Sequence, residues 1–174
     1  MYRFGAADAS AAQPSSVIVQ LNALTLQQAA QGDRLLAVNG SEVFYISQSR
    51  WVSPAEDLLA QAADRAFDRA GLDLIRRGGA QTPIATLNLS VPVFEARYSA
   101  GLEAAPTVVV EVEAAMASAT GERSLLGSTR TTATVPASAN TVTAIVAAYD
   151  VATVQALDQL AIWAAGRARA APGG

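Results

Sequence analysis

No histidine, cysteine or lysine occurs anywhere in this sequence. Without histidine, every Ser-His-Asp or Cys-His constellation is excluded. Without cysteine as well, zinc, haem-thiolate and iron–sulfur centres lose their usual ligands, and a disulfide framework cannot form. Without lysine there is no P-loop phosphate clamp and no Schiff-base chemistry. Only carboxylate, hydroxyl, tyrosine and arginine chemistry is left, so no catalytic residue, cofactor site or metal site is expected. All twelve basic residues are arginine, the net charge is −3, and the charges are mixed along the chain. No basic stripe exists for phosphate backbones, so nucleic acid is not an expected partner. No apolar run reaches membrane-span length, because Asp150, Gln155, Asp158 and Gln159 interrupt the most apolar stretch, Ala144 to Ala165. The opening Tyr2-Arg3-Phe4-Gly5 has neither the basic nor the apolar region of a signal peptide, so the chain reads as soluble.

A length of 174 residues suits one domain, which buries roughly 70% of the surface its unfolded chain exposes. The hydrophobic fraction is 51%, but alanine supplies much of it, so fewer large residues must build the core. Residues 1–16 read as an N-terminal lead-in, small and polar from residue 6 onward, and 17–174 as the domain. Val17 to Leu24 is a first predicted strand. Arg34 to Val38 and Glu42 to Ile46 flank Asn39-Gly40, which predicts a two-residue type I′ hairpin with positive φ at both residues.

Ser53-Pro54-Ala55-Glu56 predicts a helix start, with Ser53 as cap and Glu56 closing a capping box. Ala55, Leu58, Leu59, Ala62, Ala63, Ala66, Phe67 and Ala70 then form one stripe, with Gly71 as the C-terminal stop. Ile84 to Tyr98 predicts a long strand in which Pro92 marks an edge or a bulge, since the apolar parity switches at Phe94. Thr107 to Ala117 and Ser124 to Val135 predict an antiparallel pair around Thr120-Gly121-Glu122. Ser138 and Asn140 are the expected caps of a last helix, ended by Pro172-Gly173-Gly174. The fold class is therefore α/β: a single domain with a mixed, largely antiparallel sheet covered by two main helices.

The remaining motifs divide between bland and functional readings. Glu111 and Glu113 share one strand face and, with Glu95, are conceivable acid–base carboxylates, but solvated sheet positions explain them better. Arg76-Arg77-Gly78-Gly79 lacks the strand–glycine–helix context of a phosphate loop and reads as a polar turn. Arg50-Trp51 stands between the hairpin and the helix, where the aromatic plugs the junction or meets a partner. Tyr2 and Phe4 form an edge strand or dock onto another chain. Tyr2, Phe4, Arg50 and Trp51 are the candidate partner-binding residues. Trp163 is read as core.

The order of several segments resembles a known family. Tyr45 to Pro54, with its Arg-Trp-x-x-Pro pattern, and the opening Tyr2-Arg3-Phe4-Gly5 are similar to the ABC-type transport auxiliary lipoprotein component family, of the paraquat-inducible, MCE-associated outer-membrane type. Phe94-Glu95-Ala96-Arg97-Tyr98, Val108 to Val112, Val135-Pro136-Ala137 and Ile145 to Asp150 follow in the family's order. The resemblance implies a periplasmic lipoprotein, anchored at an N-terminal cysteine to the outer membrane. It also implies an MCE-type substrate-binding protein and an ABC permease and ATPase as partners, in a system that moves lipids or other hydrophobic molecules across the envelope. The chain departs from the family in showing neither the signal peptide nor the cysteine. Tyr2 and Phe4 ahead of the lead-in, and the long strand interrupted at Pro92, make docking to protein the expected function, with homo-oligomerisation through the same surface as an alternative. Two other readings remain open: a lipid carrier with its own apolar pocket, and a carboxylate-only hydrolase, which needs two acidic groups across a cleft.

Overall fold

The structure, a computed structural model, describes residues 1–4, 17–78, 81–121 and 124–170. The flexible lead-in expected over 6–16, Gly79, Glu122 and the Pro172-Gly173-Gly174 stop lie outside the described residues. The elements run β1 (Val17–Leu26), a 3-10 turn (Gln28–Ala30), β2 (Arg34–Asn39), β3 (Glu42–Arg50), α1 (Ala55–Arg69), β4 (Leu72–Arg76), β5 (Ala85–Arg97), β6 (Thr107–Ser118), β7 (Leu125–Pro136) and α2 (Val142–Ala170). Among the described residues, seven strands make one mixed sheet. The antiparallel ladders are β2–β3, β5–β6 and β6–β7, and the parallel ones join β1 to β4, β1 to β5 and β2 to β5.

β5 is the hub. β6 pairs along its whole length, while its other edge is shared by β1 over Ala85–Val91 and by β2 over Ala96–Arg97. Pro92 is therefore not on an edge strand. The register passes from Ser90↔Glu113 to Val93↔Glu111, so Val91 and Pro92 together oppose Val112. This is a bulge, where a residue without an N–H costs no ladder bond, and the extra residue turns both Val91 and Phe94 toward the core. Gln27 spans the fork: its N–H donates to the Val91 carbonyl at 2.9 Å, and its side-chain oxygen accepts from the Phe94 N–H at 3.3 Å.

The hairpin forms with a different turn. Asn39 pairs with Glu42, so Gly40 and Ser41 are the central residues, and positive φ occurs at Gly40 (60°) but not at Asn39. Positive φ at the first central residue alone is the type II′ pattern, which needs one glycine rather than Asn-Gly. The expected strand Glu42–Ile46 also continues to Arg50.

α1 buries the expected stripe, Ala55, Leu58, Leu59, Ala62, Ala63, Ala66 and Phe67, and Gly71 (φ 76°) closes it. Its start corrects the capping box. Pro54 is the N-cap and no side chain caps it. Glu56 instead accepts from the Gly32 N–H at 3.1 Å, and the Ala55 N–H donates to the Gly32 carbonyl at 2.8 Å, so a neighbouring loop satisfies the helix end. For α2 the cap is Thr141, whose hydroxyl accepts from the Ala144 N–H at 3.3 Å. Asn140 is occupied elsewhere, between the Tyr98 hydroxyl and the Leu102 carbonyl.

α2 is long and apolar enough to cross a membrane by length and composition, yet more than half of its most apolar window is buried within the domain. It packs on β6 and β7 and against α1, so its apolar character is that of a core helix. Leu87, Leu89, Phe94 and Ala96 from β5, with Val108, Val110, Val112 and Met116 from β6, form the sheet's buried face beneath it. β4 was not foreseen. Its five residues pair parallel with β1.

Candidate functional site

The candidate partner residues converge on one place, the seam between the end of β3 and the start of α1. Tyr2 runs parallel to Trp51 through two backbone bonds. Its N–H donates to the Arg50 carbonyl (2.9 Å), and its carbonyl accepts from the Val52 N–H (2.8 Å). That clip carries Phe4 into the core. Phe4 and Trp51, 0% and 2% exposed, meet edge to face at 4.9 Å. Phe94 from β5 lies 5.3 Å from Phe4, and Tyr149 from α2 stands edge-on to Trp51 at 5.3 Å and 4.8 Å from Phe94. Edge-to-face and tilted contacts suit the ring quadrupoles, and such pairs contribute about 0.5–1.5 kcal/mol each beyond their burial.

The Tyr149 hydroxyl donates to the Leu36 carbonyl at 2.7 Å, tying α2 to β2. Burial, reinforced by the charge of Glu95, pushes its pKa well above the usual tyrosine value. The Trp51 Nε1 and the Thr153 hydroxyl are buried without a hydrogen-bond partner among the described residues.

Around this aromatic base the surface is polar. Arg50 is exposed and bonds Asp33 at 2.7 Å. The hydrogen bond and charge of that guanidinium hold Asp33 below the ordinary carboxylate pKa, against a smaller opposing effect of desolvation. Tyr2 is half-buried, and Met1, Arg3 and Val52 are exposed. The sequence thus located four neighbours, of which Arg50 and Tyr2 reach the surface while Phe4 and Trp51 lie beneath it.

Two further features carry little signal in the sequence. β3 is an outer strand, and it exposes Val43 and Tyr45 on one face. The alternation Val43, Tyr45, Ser47 was the available signal. The second is a bulge. Arg34 pairs with Arg50 and Leu36 with Tyr45, so Leu35 alone stands opposite residues 46–49. Gln48 there has φ 56°, the one positive value at a non-glycine among the described residues. Arg34, Tyr45 and residues 46–50 line a recess of about 310 Å³ at this point.

The carboxylates stand apart from these features. Glu111 and Glu113 share the open face of β6, where both meet Arg130 of β7. Glu95 is buried and bonds the Arg97 Nε at 2.7 Å. Arg76 pairs with Asp64 at 2.8 Å. No group of three metal-ligating side chains occurs among the described residues. On the open face, Ala23, Thr25, Asn88, Ser90, Ala115 and Ser128 floor an open trough of about 650 Å³, with the Glu113–Arg130 pair at its margin.

Comparison with known proteins places this architecture. A protein of Xanthomonas campestris from family DUF330 superposes with a TM-score of 0.77 at 19% identity, covering 98% of this chain and 95% of its own. A hypothetical protein of Chlamydia trachomatis superposes at 0.59 and 9% identity, covering 90% of this chain and 100% of its own. At these identities the likeness is one of fold. No curated protein matches the sequence. The family model described as ABC-type transport auxiliary lipoprotein component matches residues 3–161, from the Tyr2–Phe4 clip to the later turns of α2, and the chain belongs to that family.

Proposed function

We propose that this domain docks onto an MCE-type ABC transporter as its auxiliary lipoprotein, in a system moving lipids or other hydrophobic molecules across the envelope. In this reading an N-terminal lipid holds the domain at the periplasmic face of the outer membrane. The MCE-type substrate-binding protein, with its permease and ATPase, is the partner. The family is one of transport auxiliary lipoproteins of the cell envelope rather than of enzymes.

The observation that carries the docking reading is the outer strand β3 with the rim beside it. Val43 and Tyr45 are exposed on a strand that, among the described residues, pairs on one side only, and Tyr2, Arg50 and Val52 continue the surface past its end. An unpaired strand edge offers amides and carbonyls to an added strand, and exposed aromatic and arginine side chains supply anchors. Confinement by a lipid raises the effective concentration of domain near transporter, so weak contacts suffice. Phe4 and Trp51 support this rim from below.

The test is co-purification of the domain with the MCE-type protein, using Tyr2→Ala/Arg50→Ala and Val43→Asp. These variants change the surface, whereas Phe4→Ala would hollow the core and confuse binding with folding. Loss of binding with an unchanged unfolding midpoint supports the surface. Undiminished binding by both variants removes it. A carrier reading has one observation in its favour, the trough of about 650 Å³ on the open sheet face. A lipid co-purifying with the domain, in the absence of any protein partner, would replace docking with carriage.

A further inference from the structure

We propose that the bulge of β3, together with Arg34 and Arg50, is a binding site for a phosphate oxyanion. Arg34 and Arg50 are directly opposed in the β2–β3 ladder. Opposed residues of an antiparallel pair project on the same face, about 5 Å apart at Cβ, and like charges so placed destabilise a sheet. Asp33 bonds only one of them, Arg50 at 2.7 Å, and meets Arg34 through the weaker effect of its charge. The Arg34 guanidinium lies over the Tyr45 ring, 5.1 Å from its centroid, and has no ion pair among the described residues. Stacking occupies the face of a guanidinium and leaves its N–H edge free. Neutralisation is thus incomplete: Asp33, Arg34 and Arg50 sum to one positive charge.

The backbone supplies the rest of the recess. Among the described residues, 46–49 have no partner in the ladder, and only Leu35 lies between the flanking pairs on β2. The Ser49 hydroxyl donates to the Ile46 carbonyl at 2.6 Å and holds the bulge closed. Gln48 sits at φ 56°. Glycine would occupy that conformation at lower cost, and a strained side chain kept in an exposed bulge is a feature that accompanies function. Anion-binding nests of successive amides include a left-handed residue, and Gln48 supplies one here. A planar fork of donors on each arginine suits the several oxygens of a phosphate. At about 310 Å³ the recess has room for a phosphate and the group esterified to it.

The source is a lipid headgroup or a soluble phosphate, and one experiment separates them. The whole chain, labelled with ¹⁵N, is titrated with sodium phosphate at constant ionic strength while the Arg Nε–H and backbone amide resonances are followed. In parallel it is sedimented with phosphatidylcholine vesicles, with and without phosphatidylglycerol. The expected result is a saturable shift at Arg34, Arg50 and the amides of 47–49. Arg34→Gln should weaken it about tenfold, the equivalent of one charge-assisted hydrogen bond, with the unfolding midpoint unchanged. Co-sedimentation that needs phosphatidylglycerol and falls away in Arg34→Gln assigns the headgroup. Phosphate shifts without co-sedimentation assign a soluble phosphate. No saturable shift, or a shift that survives in both Arg34→Gln and Arg50→Gln, overturns the site. Arg34 lies outside the residues varied in the docking test, so the two readings fail separately.

Discussion

Trp51→Ala is the perturbation that bears most directly on the aromatic seam. The indole is 2% exposed and has three aromatic neighbours, Phe4 at 4.9 Å, Tyr149 at 5.3 Å and Phe94 at 6.3 Å. Truncating a large buried aromatic removes its transfer free energy and leaves a cavity, costing about 3–5 kcal/mol. Against a total stability of about 5–15 kcal/mol, that is a large share, equivalent to a fall in Tm of about 6–20 °C at this size.

Trp51→Phe separates packing from polarity. It keeps a ring in the seam and removes the Nε1–H, which is buried without a partner. Relief of that desolvation, about 1–3 kcal/mol, offsets the lost volume, so the loss should be about 0–1.5 kcal/mol. The assay is urea unfolding followed by far-UV circular dichroism, with unchanged m-values as the check that only stability moved. A double-mutant cycle with Phe4→Leu should show about 0.5–1.5 kcal/mol of coupling. Trp51→Ala costing less than about 1 kcal/mol, well short of the range for a buried aromatic, would refute the seam as a structural plug. Combined with lost transport in cells, it would mark the indole as a partner contact.

Alkaline titration tests Tyr149. Its pKa is raised in the folded state, so its contribution is fully present below the ordinary tyrosine value of about 10 and is lost as pH climbs above it, at up to about 1.4 kcal/mol per pH unit. Burial also raises Tyr98, to a smaller extent, so tyrosinate absorbance should lag by at least one residue until the protein unfolds, and full ionisation with native circular dichroism intact would contradict this. Thr153→Val replaces a buried hydroxyl that has no partner with a methyl of similar shape, and should stabilise the domain by about 1 kcal/mol in the same urea assay. A loss of that size instead would mean that the hydroxyl is hydrogen-bonded in solution.

Local patterns were legible wherever one face of one element carried the signal. The stripe from Ala55 to Phe67, the β6–β7 pair and the parity change at Phe94 all read correctly, because period and turn residues are properties of neighbouring positions. Helix ends were read less well. Ser53 with Glu56 and Ser138 with Asn140 are chemically competent caps, but the donors and acceptors nearby in space came from Gly32, Tyr98 and Leu102, which are distant in sequence. β4 is illegible in the sequence because five residues, Leu72–Arg76, carry too short an alternation without β1 beside them.

By itself, then, the amino-acid order determined the α/β class, the stripe of α1, the two strands of the hairpin and the lack of histidine, cysteine and lysine chemistry. It also picked out Tyr2, Phe4, Arg50 and Trp51 as residues to watch. Only the tertiary structure decided that β5 is the hub rather than an edge, that Phe4 and Trp51 are buried with Phe94 and Tyr149, and that Arg34 faces Arg50 across a strained bulge. The physical reason is that periodicity reports which side of an element is apolar, whereas strand neighbours and side-chain clusters are set by contacts between segments that the chain brings together only on folding.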